Sequence, residues 1–167
     1  MSKHLLLIRH AKSDWGDFSL ADFDRPLNER GKKDAPAMAQ RLLDKKIQID
    51  AFISSPAKRA KKTAGYFAET YQADKNDILF YPELYAAPEQ VFYDVIAKTK
   101  NKFDSIALFS HNPGITDFAN QLTDVRIDNI PTCGIFVVTI DCKSWADFKH
   151  AKKEFVFFDY PKNGLTA

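Results

Sequence analysis

Short apolar runs separated by polar segments recur along the chain and predict β-strands. The runs are Leu5–Ile8, Asp50–Ser54, Ile78–Tyr81, Ser105–Ser110, Ile135–Ile140 and Glu154–Tyr160. Continuous apolar runs of this length, with polar residues at both ends, are typical of strands buried within a sheet. The last two runs flank a polar turn around Ser144 and therefore predict an antiparallel hairpin at the C-terminal end.

Apolar residues at helical spacing fill most of the segments between these runs. The predicted helices begin after Asn28, after Ser54-Ser55-Pro56, after Pro88 and after His111-Asn112-Pro113-Gly114. Asn28 is a good N-cap residue, because its side-chain oxygen can accept a hydrogen bond from a free backbone N–H of the first turn. Pro36 lies within the first helical pattern and predicts either a kink or a late start of that helix.

The alternation of strands and helices indicates the fold class. Such an order predicts a mostly parallel sheet with helices on both faces. We therefore expect an α/β fold, a three-layer α/β/α sandwich whose mostly parallel central sheet carries an antiparallel C-terminal element. The 167 residues contain no internal repeat, low-complexity tract or linker, so residues 1–167 are expected to form a single domain.

Composition excludes several classes of function. A net charge of +2 is too small to indicate nucleic-acid binding, and no apolar run approaches the ~20 residues that span a bilayer. The N-terminal residues lack a signal-peptide pattern. Cys133 and Cys142 show no metal-binding or disulfide pattern, which favours reduced cysteines in a cytoplasmic protein. Their odd spacing predicts that they face opposite sides if they share a strand.

Basic residues follow three of the predicted strands. Arg9 and His10 follow the first strand, His111 follows the fourth, and Arg59 lies in the first turn of the helix after the second. The carboxyl ends of strands in an open α/β sheet form the edge where ligands bind. A guanidinium can donate two hydrogen bonds to phosphate oxygens, and an imidazole can act as a nucleophile. Each residue alone is more often a solvated charge or a structural histidine, but together they predict a site for phosphoryl transfer.

These residues lie in motifs that resemble the signatures of the histidine phosphatase superfamily, the phosphoglycerate mutase-like proteins. The motifs are Leu7-Ile8-Arg9-His10, Ser54-Ser55-Pro56 with Arg59-Ala60 and Thr63, Ser110-His111, and the loop Arg25-Pro26-Leu27-Asn28-Glu29-Arg30-Gly31. They occur in the order of the superfamily and span most of the chain. The small size, and the lack of room for a large cap insertion between Thr63 and Ile106, are most similar to SixA-type phosphohistidine phosphatases.

The resemblance implies a mechanism. His10 would be the nucleophile that becomes transiently phosphorylated. Arg9, Arg59 and His111 would hold the phosphoryl group, and this neighbouring anion would favour the protonated form of His111. Water would then hydrolyse the phosphoenzyme, so neither a metal nor an organic cofactor is expected.

Neighbouring residues add candidates, and two positions depart from the superfamily pattern. Lys12, Ser13 and Asn112 adjoin the predicted site and are candidates for substrate binding. Ala11 replaces the glycine that usually follows the nucleophile, and alanine is acceptable there unless the position needs a positive φ. Glu83 is a candidate general acid for an alkoxide leaving group, although an ordinary loop carboxylate explains it equally well.

The favoured interpretation is a metal-independent phosphoric monoester or phosphoramidate hydrolase that removes phosphate from phosphohistidine in proteins. Phosphohistidine needs a general acid less than an ester does, because imidazole is the better leaving group. Two alternatives stay open, namely a phosphatase of small phosphate esters that uses Glu83 and a non-catalytic phosphate-binding protein. The expected partner is a phosphorylated protein or a small phosphorylated substrate, with neither nucleic acid nor a membrane involved.

The polar segment from Asp14 to Pro26 is too long for a simple turn between a strand and a helix, and loops of this length are often functional. It contains the aromatic residues Trp15, Phe18 and Phe23. These side chains would either form the rim of the site or anchor the loop in the core.

Overall fold

A six-stranded sheet with helices on both faces makes up the computed structural model, which describes residues 2–163. The strands are β1 (Ser2–Arg9), β2 (Ala51–Ser54), β3 (Leu79–Phe80), β4 (Ser105–Ser110), β5 (Ile135–Asp141) and β6 (Lys153–Asp159). The helices are α1 (Glu29–Asp44), α2 (Lys58–Thr70), α3 (Glu89–Ala97) and α4 (Gly114–Leu122). Short 3₁₀ helices cover Asp22–Asp24, Lys75–Asp77, Pro82–Leu84 and Trp145–His150.

The strand order β3-β2-β4-β1-β5-β6 confirms the predicted α/β class. Strands β3, β2, β4 and β1 are mutually parallel, whereas β5 is antiparallel to β1 and β6 is antiparallel to β5. The first strand is therefore central and mixed in its pairing, since Leu5 lies opposite Ile106 on the parallel side and opposite Val138 on the antiparallel side. The predicted antiparallel C-terminal element is confirmed.

The two faces of β1 supply the two cores of the sandwich. Leu5 and Leu7 belong to the core that α3 and α4 cover, and Leu6 and Ile8 belong to the core beneath α1 and α2. This alternation follows from the two-residue period of a strand. Cys133 and Cys142, both free thiols, likewise fall in opposite cores. The three-layer arrangement is thus confirmed, while the expected domain range of 1–167 extends beyond the described residues and stays a prediction.

Helix α1 begins at the predicted cap. The Asn28 side chain accepts a hydrogen bond from the Gly31 N–H at 2.8 Å, and the helix continues through Pro36, so the late start is wrong. Gly31 lets this helix approach the segment after β1, because a Cβ atom there would lie 2.2 Å from the Lys12 carbonyl oxygen. The start of α1 therefore packs directly against the chain that leaves β1.

The connection between β5 and β6 differs from the polar turn that the sequence predicted. Ser144 caps a 3₁₀ helix by accepting a hydrogen bond from the Ala146 N–H at 3.3 Å. The helix buries Trp145 and Phe148 in the same core as α3. The burial of these two large side chains explains why the connection packs against the fold. None of the helices within residues 2–163 is long and apolar enough to cross a membrane.

Candidate active site

The carboxyl ends of β1 and β4 bring two histidines together. Arg9 ends β1 and pairs in register with Ser110 at the end of β4, so His10 and His111 emerge side by side. Their ring centroids are 5.1 Å apart. Arg59, the second residue of α2, is close enough for its positive charge to lower the pKa of both histidines.

His10 is held in the form that a nucleophile requires. The Nδ1 atom of its buried ring lies 2.7 Å from the Ala11 carbonyl oxygen. Because a carbonyl oxygen can only accept, Nδ1 carries the proton and Nε2 of the neutral ring keeps a free lone pair. Burial, with smaller contributions from the neighbouring positive groups, lowers the pKa of His10 to about 3. The ring is therefore neutral at pH 7, with Nε2 available for attack.

One hydroxyl group joins the nucleophile segment to α2. The Ala11 N–H donates to Thr63 Oγ1 at 2.9 Å, and the Thr63 hydroxyl donates to the Arg59 carbonyl oxygen at 2.7 Å. Among the described non-glycine residues, positive φ angles occur at Lys46, Gln72 and Cys133, so Ala11 has an ordinary backbone conformation. Alanine is therefore compatible with this position.

Only some of the N–H groups of the arginines at the site donate hydrogen bonds to protein acceptors. Arg59 donates from Nη1 to the Asp22 carbonyl oxygen at 2.7 Å and from Nη2 to Asp22 Oδ2 at 3.0 Å. Arg9 donates from Nη1 to the Ile130 carbonyl oxygen at 3.0 Å. Both side chains, and that of Arg25, have a buried Nε without a hydrogen-bond partner.

These unpartnered nitrogens are concentrated at one place. Within residues 2–163, the buried side-chain N and O atoms without a partner are Arg9 Nε, Arg25 Nε, Arg59 Nε, His111 Nδ1 and Thr99 Oγ1. Leaving a buried polar group unpaired costs about 1–3 kcal/mol, and all of these atoms except the last belong to the site. Several cationic donors that lack acceptors indicate a binding site for an anion with several oxygens.

The residues around His111 favour the neutral form of its ring. Its Nε2 lies 2.8 Å from Ser55 Oγ, and its ring meets the edge of Tyr85 at a centroid distance of 5.6 Å. Burial and the charge of Arg59 lower the pKa of His111 to about 3, so the ring is neutral at pH 7 among these residues. The protonated role that the sequence suggested would need the negative charge of a phosphate to raise this pKa again.

Asp22 is the part of the site that the sequence analysis missed. Its carboxylate accepts hydrogen bonds from Arg25 Nη2 at 2.8 Å, from Arg59 Nη2 at 3.0 Å and from the Tyr85 hydroxyl. The bonds from Tyr85 and Arg25 hold the pKa of Asp22 well below its usual range, and Asp22 in turn raises the pKa of Tyr85. A lone aspartate in a loop gave no signal, since its partners are distant in the chain.

A cavity of about 570 Å³ adjoins these groups. Asp22, Arg59, Tyr85 and His111 contribute to its lining. A phosphorylated group of moderate size can therefore approach Arg59 and His111 from this side.

Comparison with known proteins agrees with this geometry. Residues 5–79 match the histidine phosphatase superfamily (branch 1). The fold matches that of the protein histidine phosphatase SixA complexed with tungstate, with a TM-score of 0.81, 21% sequence identity and coverage of 96% of this chain and 98% of that one. Residues 5–79 of this chain are thus similar to the histidine phosphatase superfamily, and the chain as a whole shares the fold of SixA.

Further relatives extend the similarity over most of the chain. A protein of Agrobacterium tumefaciens described as a candidate phosphohistidine phosphatase SixA gives a TM-score of 0.78 at 24% identity, covering 95% of this chain and 98% of that one. An uncharacterized chloroplastic protein of Arabidopsis thaliana is 28% identical over 155 residues, which are 88% of this chain and 71% of that protein. The match of residues 5–79 to the histidine phosphatase superfamily supports a phosphatase as the enzyme class. Because one relative is named chloroplastic, the cytoplasmic location stays a prediction.

The acid that some superfamily members need was predicted at Glu83, but the structure places this residue elsewhere. Glu83 lies in the 3₁₀ helix Pro82–Leu84, in which Leu84 enters the core and Glu83 faces outward. Its Oε2 is 3.8 Å from Lys98 Nζ, and it does not line the cavity beside His111. Glu89 and Asp117 line that cavity instead.

The residues predicted to bind substrate lie in different parts of the structure. Ser13 is buried and its hydroxyl accepts a hydrogen bond from Arg25 Nη1. Lys12 is exposed and lines another cavity, together with Arg30 and Asp34. Asn112 lines the cavity beside His111, but its amide donates to the Ile130 carbonyl oxygen at 3.1 Å, as Arg9 does. Ser13 and Asn112 therefore hold arginines or the backbone in place, and their roles toward a substrate stay predictions.

The aromatic residues of the loop after β1 lie on the surface rather than in the core. Trp15 and Phe18 are exposed, and Arg25 stacks 3.5 Å from the centre of the Trp15 ring. Phe23 meets Tyr85 edge-on at a centroid distance of 5.1 Å. Of the two interpretations that the sequence left open, the structure supports a rim over a core anchor.

Proposed function

We propose that this chain is a phosphohistidine phosphatase that acts on phosphohistidine in proteins through a phosphorylated His10. The observation that carries the proposal is the neutral, oriented His10 imidazole beside guanidinium groups with unpartnered nitrogens. This pairing supplies the two requirements of phosphoryl transfer, namely a nucleophile and donors for the charge on the transferred group.

The reaction would proceed in two steps. His10 Nε2 attacks the phosphorus atom while the P–N bond to the substrate imidazole breaks, and the departing nitrogen takes the electron pair of that bond. A proton from solvent then makes the released imidazole neutral. Water then attacks the phosphorus atom of phospho-His10, which releases inorganic phosphate and restores the neutral ring. Arg9 and Arg59 would stabilise the negative charge on the phosphoryl oxygens in both steps.

The surroundings of the site favour a substrate with a good leaving group. Asp22 is ionised and bound to two arginines, so it is a poor proton donor. Glu83 lies against Lys98. A phosphoramidate places less demand on a general acid than a phosphate ester does, because imidazole leaves more readily than an alkoxide.

Hydrolysis of small phosphate esters is a second candidate function. Glu89 and Asp117 line the cavity beside His111, so a carboxylic acid near an ester leaving group is available on that side. Glu89 takes the place of Glu83 as the residue to test for this activity.

The test compares wild type, His10→Ala and His150→Ala, a control at an exposed histidine outside the site. Each is incubated with a histidine-phosphorylated protein and, separately, with an aryl phosphate ester, and phosphate release is followed. We expect His10→Ala to lower turnover of the phosphohistidine by about 10³-fold or more, because no other group takes over the attack. His150→Ala should behave as wild type, and thermal unfolding checks that both variants are folded.

Other results would reject parts of this proposal. Undiminished turnover in His10→Ala would reject the phosphohistidine intermediate. Faster turnover of the ester than of the phosphohistidine, lost in Glu89→Gln, would support the second candidate. Turnover of neither substrate would favour a phosphate-binding protein.

A further inference from the structure

Exposed apolar side chains are concentrated on the loop after β1. Among residues 2–163, four of the eight large hydrophobic side chains that are exposed lie between Trp15 and Phe23. They are Trp15 (68% exposed), Phe18 (94%), Leu20 (40%) and Phe23 (38%). Exposed apolar patches of this kind mark interaction surfaces, and aromatic residues contribute most of the binding energy at many of them.

Hydrogen bonds fix the backbone that presents these side chains. The Asp14 N–H donates to the Pro26 carbonyl oxygen at 2.8 Å, and Asp17 Oδ1 accepts from the Ser19 N–H at 2.9 Å. Asp22 fastens the far end of the loop to Arg59 and Arg25. Because these bonds already hold the loop in one conformation, binding a partner costs less conformational entropy of the loop than it would for a flexible segment.

The charge of the loop indicates what kind of surface it can meet. Between residues 14 and 24 the chain has Asp14, Asp17, Asp22 and Asp24, and no lysine or arginine. Asp22 is paired with arginines of the site, whereas the other three are exposed. An apolar surface with a negative rim is complementary to a surface that combines apolar and basic side chains.

The loop is continuous with the mouth of the site. Phe23 packs against Tyr85, and Tyr85 lines the cavity together with His111. Phe18 and Leu20 are not among the residues that line this cavity, so a small phosphorylated molecule inside it would leave them uncovered. A larger partner whose phosphorylated side chain enters the cavity would cover them.

We propose that residues 14–24, the rim loop, dock the phosphorylated protein by contacting apolar and basic side chains next to its phosphohistidine. This inference rests on the proposed function, since it concerns the substrate of the same site. It assigns substrate recognition to a surface outside the phosphate pocket. The rim loop would therefore affect the affinity for a protein substrate without affecting the chemistry of phosphate transfer.

The test uses two phosphohistidine peptides of equal length and free phosphohistidine. One peptide carries leucine and arginine around the phosphohistidine, and the other carries serine and glutamate. We expect wild type to prefer the first peptide by about tenfold in kcat/KM, mainly through KM, which is the effect of one or two buried apolar anchors. The double variant Phe18→Ala/Leu20→Ala should lose this preference and hydrolyse free phosphohistidine within twofold of wild type.

A matched control removes an exposed apolar side chain elsewhere. Leu43→Ala, on α1, should keep the preference, because Leu43 is exposed to the same extent as Leu20 but lies outside the rim loop. Asp17→Asn, which can still accept the hydrogen bond from Ser19, should reduce the salt dependence of turnover of the leucine–arginine peptide.

Several results would overturn the docking proposal. The first is equal turnover of both peptides by wild type. The second is a loss of turnover in the double variant that is equal for peptide and free phosphohistidine. The third is a change of oligomeric state in that variant, which would assign the loop to a contact between copies of this chain. If wild type leaves both peptides and free phosphohistidine intact, the proposed function fails instead. In that case, binding of the fluorescently labelled peptides, measured by anisotropy, still tests the docking proposal. Equal affinity of wild type for both peptides overturns that proposal.

Discussion

The two ends of β1 carry a buried lysine and a half-buried arginine, which differ in how many of their donors find acceptors in the protein. Lys3, near the start of the strand, is 2% exposed and donates from Nζ to the Asn101 carbonyl oxygen at 3.0 Å, to the Phe103 carbonyl oxygen at 3.2 Å and to Asp104 Oδ1 at 3.1 Å. Arg9, at the other end, has one protein acceptor and a buried Nε without any.

The difference separates a structural cation from cations that serve a ligand. An ammonium group has three donors, and at the amino end of the strand all three are used. At the carboxyl end, Arg9, Arg59 and Arg25 each have a donor without a partner, and burial together with the charge of Arg59 lowers the pKa of Arg9. Unsatisfied and mutually repelling charges lower stability, so their presence at one edge is a cost that an anionic ligand offsets.

The largest effect is expected from Arg59→Met, which removes one of the spare donors. Loss of a preorganised donor to the transferred group should lower kcat/KM on phosphohistidine by about 10²–10³-fold. The free energy of unfolding should change by less than about 1 kcal/mol, because lost bonds to Asp22 are offset by relief of repulsion with Arg9. Steady-state kinetics and urea unfolding measure the two quantities.

Lys3→Met is the counterpart at the other end of the strand. It should lower the free energy of unfolding by about 1–3 kcal/mol, since two buried carbonyl oxygens lose their donor, and leave kcat/KM unchanged. A variant of Arg59 that loses stability but retains activity, or the reverse for Lys3, would contradict the distinction between the two ends.

The pH dependence of stability should come from the carboxyl end. His10 and His111 have pKa values of about 3 in the folded chain and an ordinary value of 6.5. Below pH 6.5 the unfolded chain therefore binds more protons than the folded chain, and the free energy of unfolding falls as the pH drops towards 3. The slope is up to about 1.4 kcal/mol per pH unit for each histidine.

Urea unfolding at pH 7 and pH 5 tests this expectation. His111→Gln should show a smaller loss between the two pH values than wild type, because one of the two groups no longer takes up a proton on unfolding. An equal loss in both proteins would mean that His111 is not kept neutral by the fold.

The smallest effect is expected from Asp22→Asn, which keeps the shape of the contact between the arginines and removes its charge. We expect kcat/KM to fall by about tenfold, since charge-assisted bonds that orient Arg25 and Arg59 become weaker. The pKa of Tyr85 should fall towards its ordinary value, because its bond to Asp22 is the largest cause of the shift. Absorbance titration of tyrosine reads this change, and an unaltered Tyr85 would show that Asp22 does not orient the site.

Sequence patterns were sufficient for the fold and for the grouping of the basic residues. The apolar run Leu5–Ile8 predicted a buried strand, and the structure divides its side chains between the two cores. His10 and His111 could be placed together because parallel neighbouring strands end at one edge. The strand was predicted from its local run of apolar residues, and the grouping of the histidines from the rule that parallel strands end at one edge of the sheet.

Contacts between distant segments could not be predicted in this way. Asp22 contacts Arg59 and Tyr85, which are 37 and 63 residues away in the sequence, and no residue near Asp22 in the sequence indicates these partners. The direction of Glu83 depends on the burial of the adjacent Leu84, which is a property of the packed 3₁₀ helix. Neutral His111 likewise reflects its surroundings, since burial outweighs the ordinary pKa of the residue.

Thr63 has a consequence for the dynamics of the chain. Its hydroxyl connects the backbone of Ala11 to that of Arg59, so we expect the segment with the attacking ring and the helix with the guanidinium to move together. The order needed to align these two groups is therefore acquired once, when the chain folds. Each encounter with a substrate then begins from an aligned pair, and the search over relative orientations is left to the substrate alone.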